Sequence, residues 1–288
     1  MAAYLDMPAA NAMLKEYYDD QKVENIAYKA SVALAMMPKD TDAEGKYVPV
    51  PTWFEVSQGI GANFANAQGN QAPNQYAQFD IPLRPDYSVS TITEQARVSS
   101  GSNVGAFKKM ATSAIDGCLA GSAKSAGSAI YRSGTGTVGA ISTITAGVIL
   151  LTNPADIAQF AINQALQANA TDGGTPRAAI GYVIARNVIA GTITVSTVQG
   201  GAAATPTGWV ATDFLVRQGD NNGKMVGFTG WLPATAPATT DHFFGVNRSV
   251  DSRLYGLAYP GTQQSIEEAL IDASMLIARE GGKPLHHF

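Results

Sequence analysis

The sequence predicts an α+β chain made of extended and helical pieces laid end to end, and three observations predict it. Tyr28-Lys29-Ala30-Ser31-Val32-Ala33-Leu34-Ala35-Met36-Met37-Pro38-Lys39-Asp40 closes a helix-compatible stretch. Val48-Pro49-Val50-Pro51 follows it, where proline favours extended backbone. Two strand-like runs then flank a tip rich in Gly, Asn and Gln. Beyond them the apolar spacing changes from alternation to the helical period, and short β-like runs take over from about residue 138.

Composition sets the bounds. At 288 residues, 45 % of them hydrophobic, the chain can bury a core as one large domain or two modest ones. Only 15 % of residues are charged, against roughly 25 % in ordinary soluble proteins. A surface so poor in charge associates easily, although an ordinary globular protein with a bland surface has the same composition. The net charge of −4 and pI near 5.4 argue against tight nucleic-acid binding, which relies on Lys and Arg neutralising phosphates. Any contact with DNA is expected to be weak and non-specific. The single Cys118 excludes an intrachain disulfide framework and a thiolate metal site, and reads as a small core residue. Met1 to Met13 holds Asp6 and Pro8 but no basic and apolar leader pattern. Val138 to Leu151 is the most apolar run, and it is broken by Ser142, Thr143, Thr145 and Gly147. A bilayer span needs about 20 apolar residues, so no membrane partner is expected.

The elements follow in order. Residues 1–50 read as an N-terminal arm, with Met13, Tyr17, Val23, Ile26, Ala30, Val32 and Ala33 only loosely periodic, so that partners are needed to order it. Residues 51–101 read as an extended hairpin. Trp53-Phe54-Glu55-Val56 runs outward and Gln78-Phe79-Asp80-Ile81-Pro82-Leu83 returns, with Tyr87-Ser88-Val89-Ser90-Thr91-Ile92 prolonging the second strand. An isolated two-stranded ribbon is marginal in water, so this one is expected to lie on another surface. Residues 102–132 carry Phe107, Met110, Ala114, Ile115, Cys118, Leu119, Ala126 and Ile130 at helical spacing, which gives a helix on the order of 40 Å long. Small residues from Gly117 to Ala126 make it narrow.

Residues 133–260 read as β-rich. Runs at Ile141–Leu151, Ala179–Ala185, Gly191–Val198 and Phe214–Gln218 alternate with turns, including loops at Asp172-Gly173-Gly174 and Gly200–Pro206. This spacing predicts an inserted β-roll or small barrel, and Pro233–Thr240 reads as a surface connection. In residues 261–288, Ser265-Ile266-Glu267-Glu268 is a capping box. It opens a helix with Ile266, Ala269, Leu270, Ala273, Leu276 and Ile277 on one face, Arg279 in the last turn and Gly281-Gly282 as the stop.

The order of these pieces resembles a tailed-bacteriophage major capsid protein of the Hong Kong 97 type. The resemblance is carried by the Tyr28–Asp40 and Val48–Pro51 segments and by Gln58-Gly59-Ile60-Gly61-Ala62-Asn63-Phe64-Ala65-Asn66-Ala67-Gln68. Asp86-Tyr87-Ser88, Ile115-Asp116-Gly117 and Ile266-Glu267-Glu268-Ala269-Leu270-Ile271-Asp272-Ala273 continue it. It implies an N-terminal arm, an extended β-hairpin loop, a long spine helix, a β-rich peripheral region with an inserted module, and the start of an axial domain at 261–288. Only Lys283-Pro284-Leu285-His286-His287-Phe288 follows the last helix and its Gly-Gly stop, where the family continues into a strand and the rest of its axial domain. That departure implies either a sequence that stops early or a reduced axial domain.

The implied function is that of a structural subunit of a viral icosahedral head, not an enzyme. Hexamers and pentamers of the one chain would enclose double-stranded DNA. The shell would be assembled in the host bacterial cytoplasm, with scaffold, portal and cement proteins as partners. Intersubunit candidates are the aromatics of the extended segments: Tyr17, Tyr18 and Tyr28 in the arm, with Trp53, Phe54, Phe64, Phe79 and Tyr87 in the hairpin. The alternative is a β-rich virion decoration or fibre protein, supported by residues 138–232; an enzyme is the third reading.

Other motifs point nowhere further. Gly134-Thr135-Gly136-Thr137-Val138-Gly139 has dinucleotide-binding spacing, yet a predicted helix precedes it and a β-like run follows, the reverse of the order that fingerprint needs. It reads as a turn. The histidines are His242, His286 and His287; Asp241-His242 lacks an elbow to present a serine, and adjacent His286 and His287 chelate poorly. No cofactor and no metal is expected. Some capsids of the resembled family are cross-linked by a lysine of the extended loop attacking an asparagine side chain. Here no lysine occurs between Lys46 and Lys108, so a shell of this chain is expected to be non-covalent. Particles heated in denaturant with reductant should release a monomer near 30.0 kDa on a gel; a ladder of higher species would contradict this.

Overall fold

The computed structural model describes residues 36–37, 45–99, 110–257, 259 and 264–280. Helices and antiparallel sheet are both present, so the chain is of the mixed α+β kind. It forms two compact units, one built on Arg84–Gly227 and the other on Asp40–Leu83 with Phe228–Phe288.

In the first unit, α2 is not the first helix along the chain but the first of this unit: α1 spans Phe64–Gly69 in the other unit, and α2 spans Glu94–Ser99. Next comes α3, Met110–Ala129, whose 20 residues extend about 30 Å. The part of the expected spine helix before Met110 lies outside the described residues. Small side chains leave α3 thin, and Ile115 and Leu119 on its first half are exposed. Its C-terminal end is buried through Ser125, Ala129 and Ile130.

Six strands follow: β3 Thr137–Thr145, β4 Val148–Leu151, β5 Ala165–Asn169, β6 Gly181–Asn187, β7 Thr192–Ser196 and β8 Phe214–Arg217. They close into a barrel in the order β3-β4-β7-β6-β5-β8, with every neighbouring pair antiparallel. Alternation drives this, because successive side chains in a strand point to opposite faces. Each strand sends at least one large aliphatic into a shared core: Ile141, Ile149, Leu166, Val183, Ile193 and Leu215 are all buried there. Phe160 and Trp209 add aromatic bulk to the same core, and the Trp209 indole donates to the Ala179 carbonyl at 3.2 Å. A buried carboxylate, Asp213, is neutralised by a two-pronged bond from Arg177 at 2.8 Å on each side.

The sequence run Ile141–Leu151 is two strands and not one. Ala146 and Gly147 both have positive φ, at 49° and 82°, and join Thr145 to its partner Val148. Two such residues are what a tight hairpin turn with the twist of its strands requires. A Cβ on Gly147 would stand 2.5 Å from the Ala204 nitrogen, so glycine is needed for space as well. Strand β5 carries little strand signal of its own, because Ala-Leu-Gln-Ala-Asn lacks β-branched residues.

In the second unit, β1 (Tyr47–Glu55) pairs antiparallel with β2 (Gln75–Pro82), from Tyr47 opposite Pro82 to Glu55 opposite Gln75. Pro49 and Pro51 sit in β1 without breaking it. Pro49 is opposite Asp80, whose N–H points away from β1 to the Phe244 carbonyl at 3.0 Å. The missing proline N–H therefore falls where the ladder needs none. Helix α1 closes the tip, with the Asn63 side chain accepting from the Asn66 N–H at 2.9 Å.

The expected prolongation of the second strand through Tyr87–Ile92 does not form as a strand. Pro85 removes a ladder donor and restricts its neighbour, and side chains hold the segment instead. The Ser88 hydroxyl donates to the Cys118 carbonyl at 3.2 Å, and Asp86 accepts from Ser125 at 3.0 Å. The unit continues through α4 (Phe228–Trp231), β9 (His242–Phe243) and β10 (Val246–Asn247) to α5 (Ile266–Arg279). Both halves of the Ser265–Glu268 capping box are present.

Burial ranks the consequences of truncation. Leu166→Ala should cost roughly 2–5 kcal/mol, because it opens a cavity in a closed core, whereas Leu119→Ala should stay within about 0.5 kcal/mol. Urea unfolding of both variants checks this.

Candidate assembly surface

The hairpin of the second unit is anchored at its base and bare at its end. At the base, Phe79 and Phe54 join a cluster with Trp231, Phe243 and Phe244. Ring centroids lie 5.5 Å apart for Phe79 and Trp231, 5.0 Å for Trp231 and Phe243, and 4.3 Å for Phe243 and Phe244. The buried Arg248 places its guanidinium 3.8 Å from the Phe243 centroid and donates to the Gly230 carbonyl at 2.9 Å. Aromatic and cation–π geometry of this kind adds to what burial alone supplies. Arg253 ties β1 to the same base by pairing with both Glu55 and Asp251. Hydrogen bonds from Arg253, first among the causes, hold Glu55 below its ordinary carboxylate value.

Beyond that base the hairpin buries nothing from Val56 to Tyr76. Trp53 is 58 % exposed and stacks on Tyr76 across the strands, at 6.2 Å between centroids. Phe64, on α1, is 82 % exposed, and Ile60 beside it is exposed too. The tip is nevertheless built. Ser57 N–H donates to the Asn74 side chain at 2.7 Å and the Asn70 side chain to the Ile60 carbonyl at 3.1 Å. A Cβ on Gly61 would press on the Ala67 nitrogen at 2.8 Å.

The sequence-predicted residues separate accordingly. Trp53 and Phe64 are open for contact in the second unit, and Tyr87, 84 % exposed, is open in the first. Phe79 is corrected: at 5 % exposure it is a core residue of the aromatic cluster, because the neighbouring positions of β2 face outward and it faces in. Phe54 packs beside it and is half-buried. Tyr17, Tyr18 and Tyr28 lie outside the described residues.

A scan of known protein families, a search of curated proteins and a search of solved structures each return no match for this chain. The surface is therefore defined by its own geometry.

Helix α5 is the second component of that surface. None of its residues is buried, and Ile266, Leu270, Ile271 and Met275 are exposed. The sequence signals the helix through its cap and sets Ile266, Ala269, Leu270, Ala273, Leu276 and Ile277 on one face, of which Ile266 and Leu270 are exposed. The Asp241-His242 pair does not form a dyad: His242 Nδ1 lies 3.2 Å from the Thr240 carbonyl, and the Asp241 carboxylate lies 3.8 Å from Arg248. Among the described residues, no three His, Cys, Asp or Glu side chains gather as a metal site, and no helix is long and apolar enough to cross a membrane.

Because Phe64 and Leu270 contact little within the chain, Phe64→Ser and Leu270→Asp should leave its unfolding free energy within about 0.5 kcal/mol. Burying such side chains elsewhere is worth about 1.5–3 kcal/mol each, so a contact made through this surface should weaken at least about tenfold in either variant. Sedimentation equilibrium alongside urea melts separates the two effects.

Proposed function

We propose that this chain is a structural subunit of a tailed-phage icosahedral head of the Hong Kong 97 type, assembling into hexamers and pentamers around double-stranded DNA. The observation that carries the reading is the apolar surface left unpartnered on built elements. A hairpin tip with Trp53 and Phe64 exposed and a capped helix with no buried residue are folded yet uncovered. Repeated heterologous contacts made by such elements close into rings and shells. The ordered sequence pieces point the same way, and the low charge lets copies approach. On this reading the protein resides in the virion, is assembled in the host cytoplasm, and meets scaffold, portal and cement proteins.

One observation favours a second reading, a decoration or fibre protein of the virion. The closed barrel has its own core and no free sheet edge, as a self-standing binding module would.

Sedimentation velocity of the expressed chain, with negative-stain microscopy of the fastest fraction, tests the two against each other. Rings or closed shells are the expected outcome. Stable trimers without curvature would support the fibre reading, and a monomer at all concentrations, with and without co-expressed scaffold, would overturn the shell reading.

A further inference from the structure

Beside the C-terminal half of α3, the barrel unit carries a cleft of about 650 Å³, within the size range of small-molecule sites. Lys124 of α3, Gln164 before β5 and Arg217 at the end of β8 line it, together with Asp86 and Lys224. Lys224 is already engaged, 2.8 Å from Asp86 and 3.2 Å from Asp220. Burial pushes the Asp86 carboxyl up, and the bonds from Lys224 and Ser125 outweigh it and hold the group below its ordinary value. The remaining cations have no such close match, although Arg217 lends its field to Asp86 from beyond ion-pair distance. Among the described residues, no carboxylate pairs with Lys124, Arg186 or Arg217.

Lys124 Nζ and Arg186 Nη1 instead donate to one acceptor, the Phe160 carbonyl, at 3.4 and 3.2 Å. A carbonyl oxygen has lone pairs for both but neutralises neither charge. Arg217 makes no side-chain hydrogen bond with the described residues; its Nε is sealed from solvent without a partner, as is Gln164 Nε2 in the same wall. Burial first, then the fields of Arg186 and Arg217, push the Lys124 ammonium below the ordinary lysine range. Cations gathered at that cost are relieved by an anion placed among them.

We propose that this cleft binds a phosphate-class oxyanion, held by the Lys124 ammonium and the Arg217 guanidinium with Arg186 adding field from the side. The two contacts are complementary, since a guanidinium offers a planar fork and an ammonium a point charge. The same chemistry is presented by free phosphate and by the backbone of a nucleic acid.

Isothermal titration of the full chain with inorganic phosphate, at ionic strength fixed with chloride, tests the site. The expected result is one saturable event, weakened about tenfold or more in Lys124→Gln and in Arg217→Gln, since a hydrogen bond to a charged group is lost in each. Arg217→Lys, which keeps the charge but not the fork, should bind with an affinity between those of the unaltered chain and Arg217→Gln. No heat beyond the chloride control, or unchanged binding in both glutamine variants, would overturn the proposal. Fluorescence anisotropy with a short single-stranded oligonucleotide separates the sources. Binding tighter than phosphate and lost in the same variants identifies a backbone phosphate, whereas oligonucleotide binding indifferent to the variants identifies the free ion.

Discussion

The seam between β8 and β3 closes the barrel, and much of the larger unit depends on it. Thr137 faces Val216, Gly139 faces Leu215 and Ala140 faces Phe214, with a bulge between Thr137 and Gly139. At that bulge the ring of the buried Phe160 lies 3.2 Å from where a Cβ on Gly139 would stand. Backbone and ring are thus packed directly, and a side chain on Gly139 would force the ring to shift by a few tenths of an ångström. Closure leaves no strand edge to recruit other chains. The same Phe160 turns its carbonyl to Lys124 and Arg186, so the residue that plugs the core also gathers the cations of the neighbouring cleft.

The smaller unit follows a different logic. Its two-stranded hairpin has no sheet to lean on, and ribbons of this kind are marginal in water. The aromatic cluster around Trp231 and the Arg253 pairing with Glu55 and Asp251 fasten one end. Exposed pairs contribute little to stability, so the cluster carries most of the fastening. Farther out, hydrogen bonds of Asn63, Asn70 and Asn74 shape the tip without burying it. The tip is specified in shape but gains little hydrophobic stabilisation within the chain.

Local signals were legible in the sequence and non-local ones were not. The Ser265–Glu268 cap and the Gly134–Gly136 bend are each written within a few residues, and the hairpin in two strand-like runs flanking a polar tip; each is present. The Ala146-Gly147 turn escaped notice because alanine seldom takes positive φ. Tyr87–Ile92 looked like a strand because its side chains alternate, but a strand also needs ladder donors beside it, and Pro85 interrupts them. Phe79 looked like a contact residue because its partners Trp231 and Phe243 are far away in sequence. Convergence of Lys124, Arg186 and Arg217 is likewise a product of topology, since a helix, β6 and β8 supply them.

The contrast between Leu166 and Leu270 indicates where the chain's own folding ends. Leu166 is fully buried in the barrel core, whereas Leu270 lies on a helix of 14 residues that buries none of them. Helices near that length are marginal in water unless packing supports them, and the capping box accounts for only part of what is needed. A partner that covers the exposed Ile266 and Leu270, which share one side of the helix, would add its binding energy directly to the stability of the helix, because ligand binding and folding are linked. On the assembly reading, α5 is then a segment whose order depends on being built into something larger.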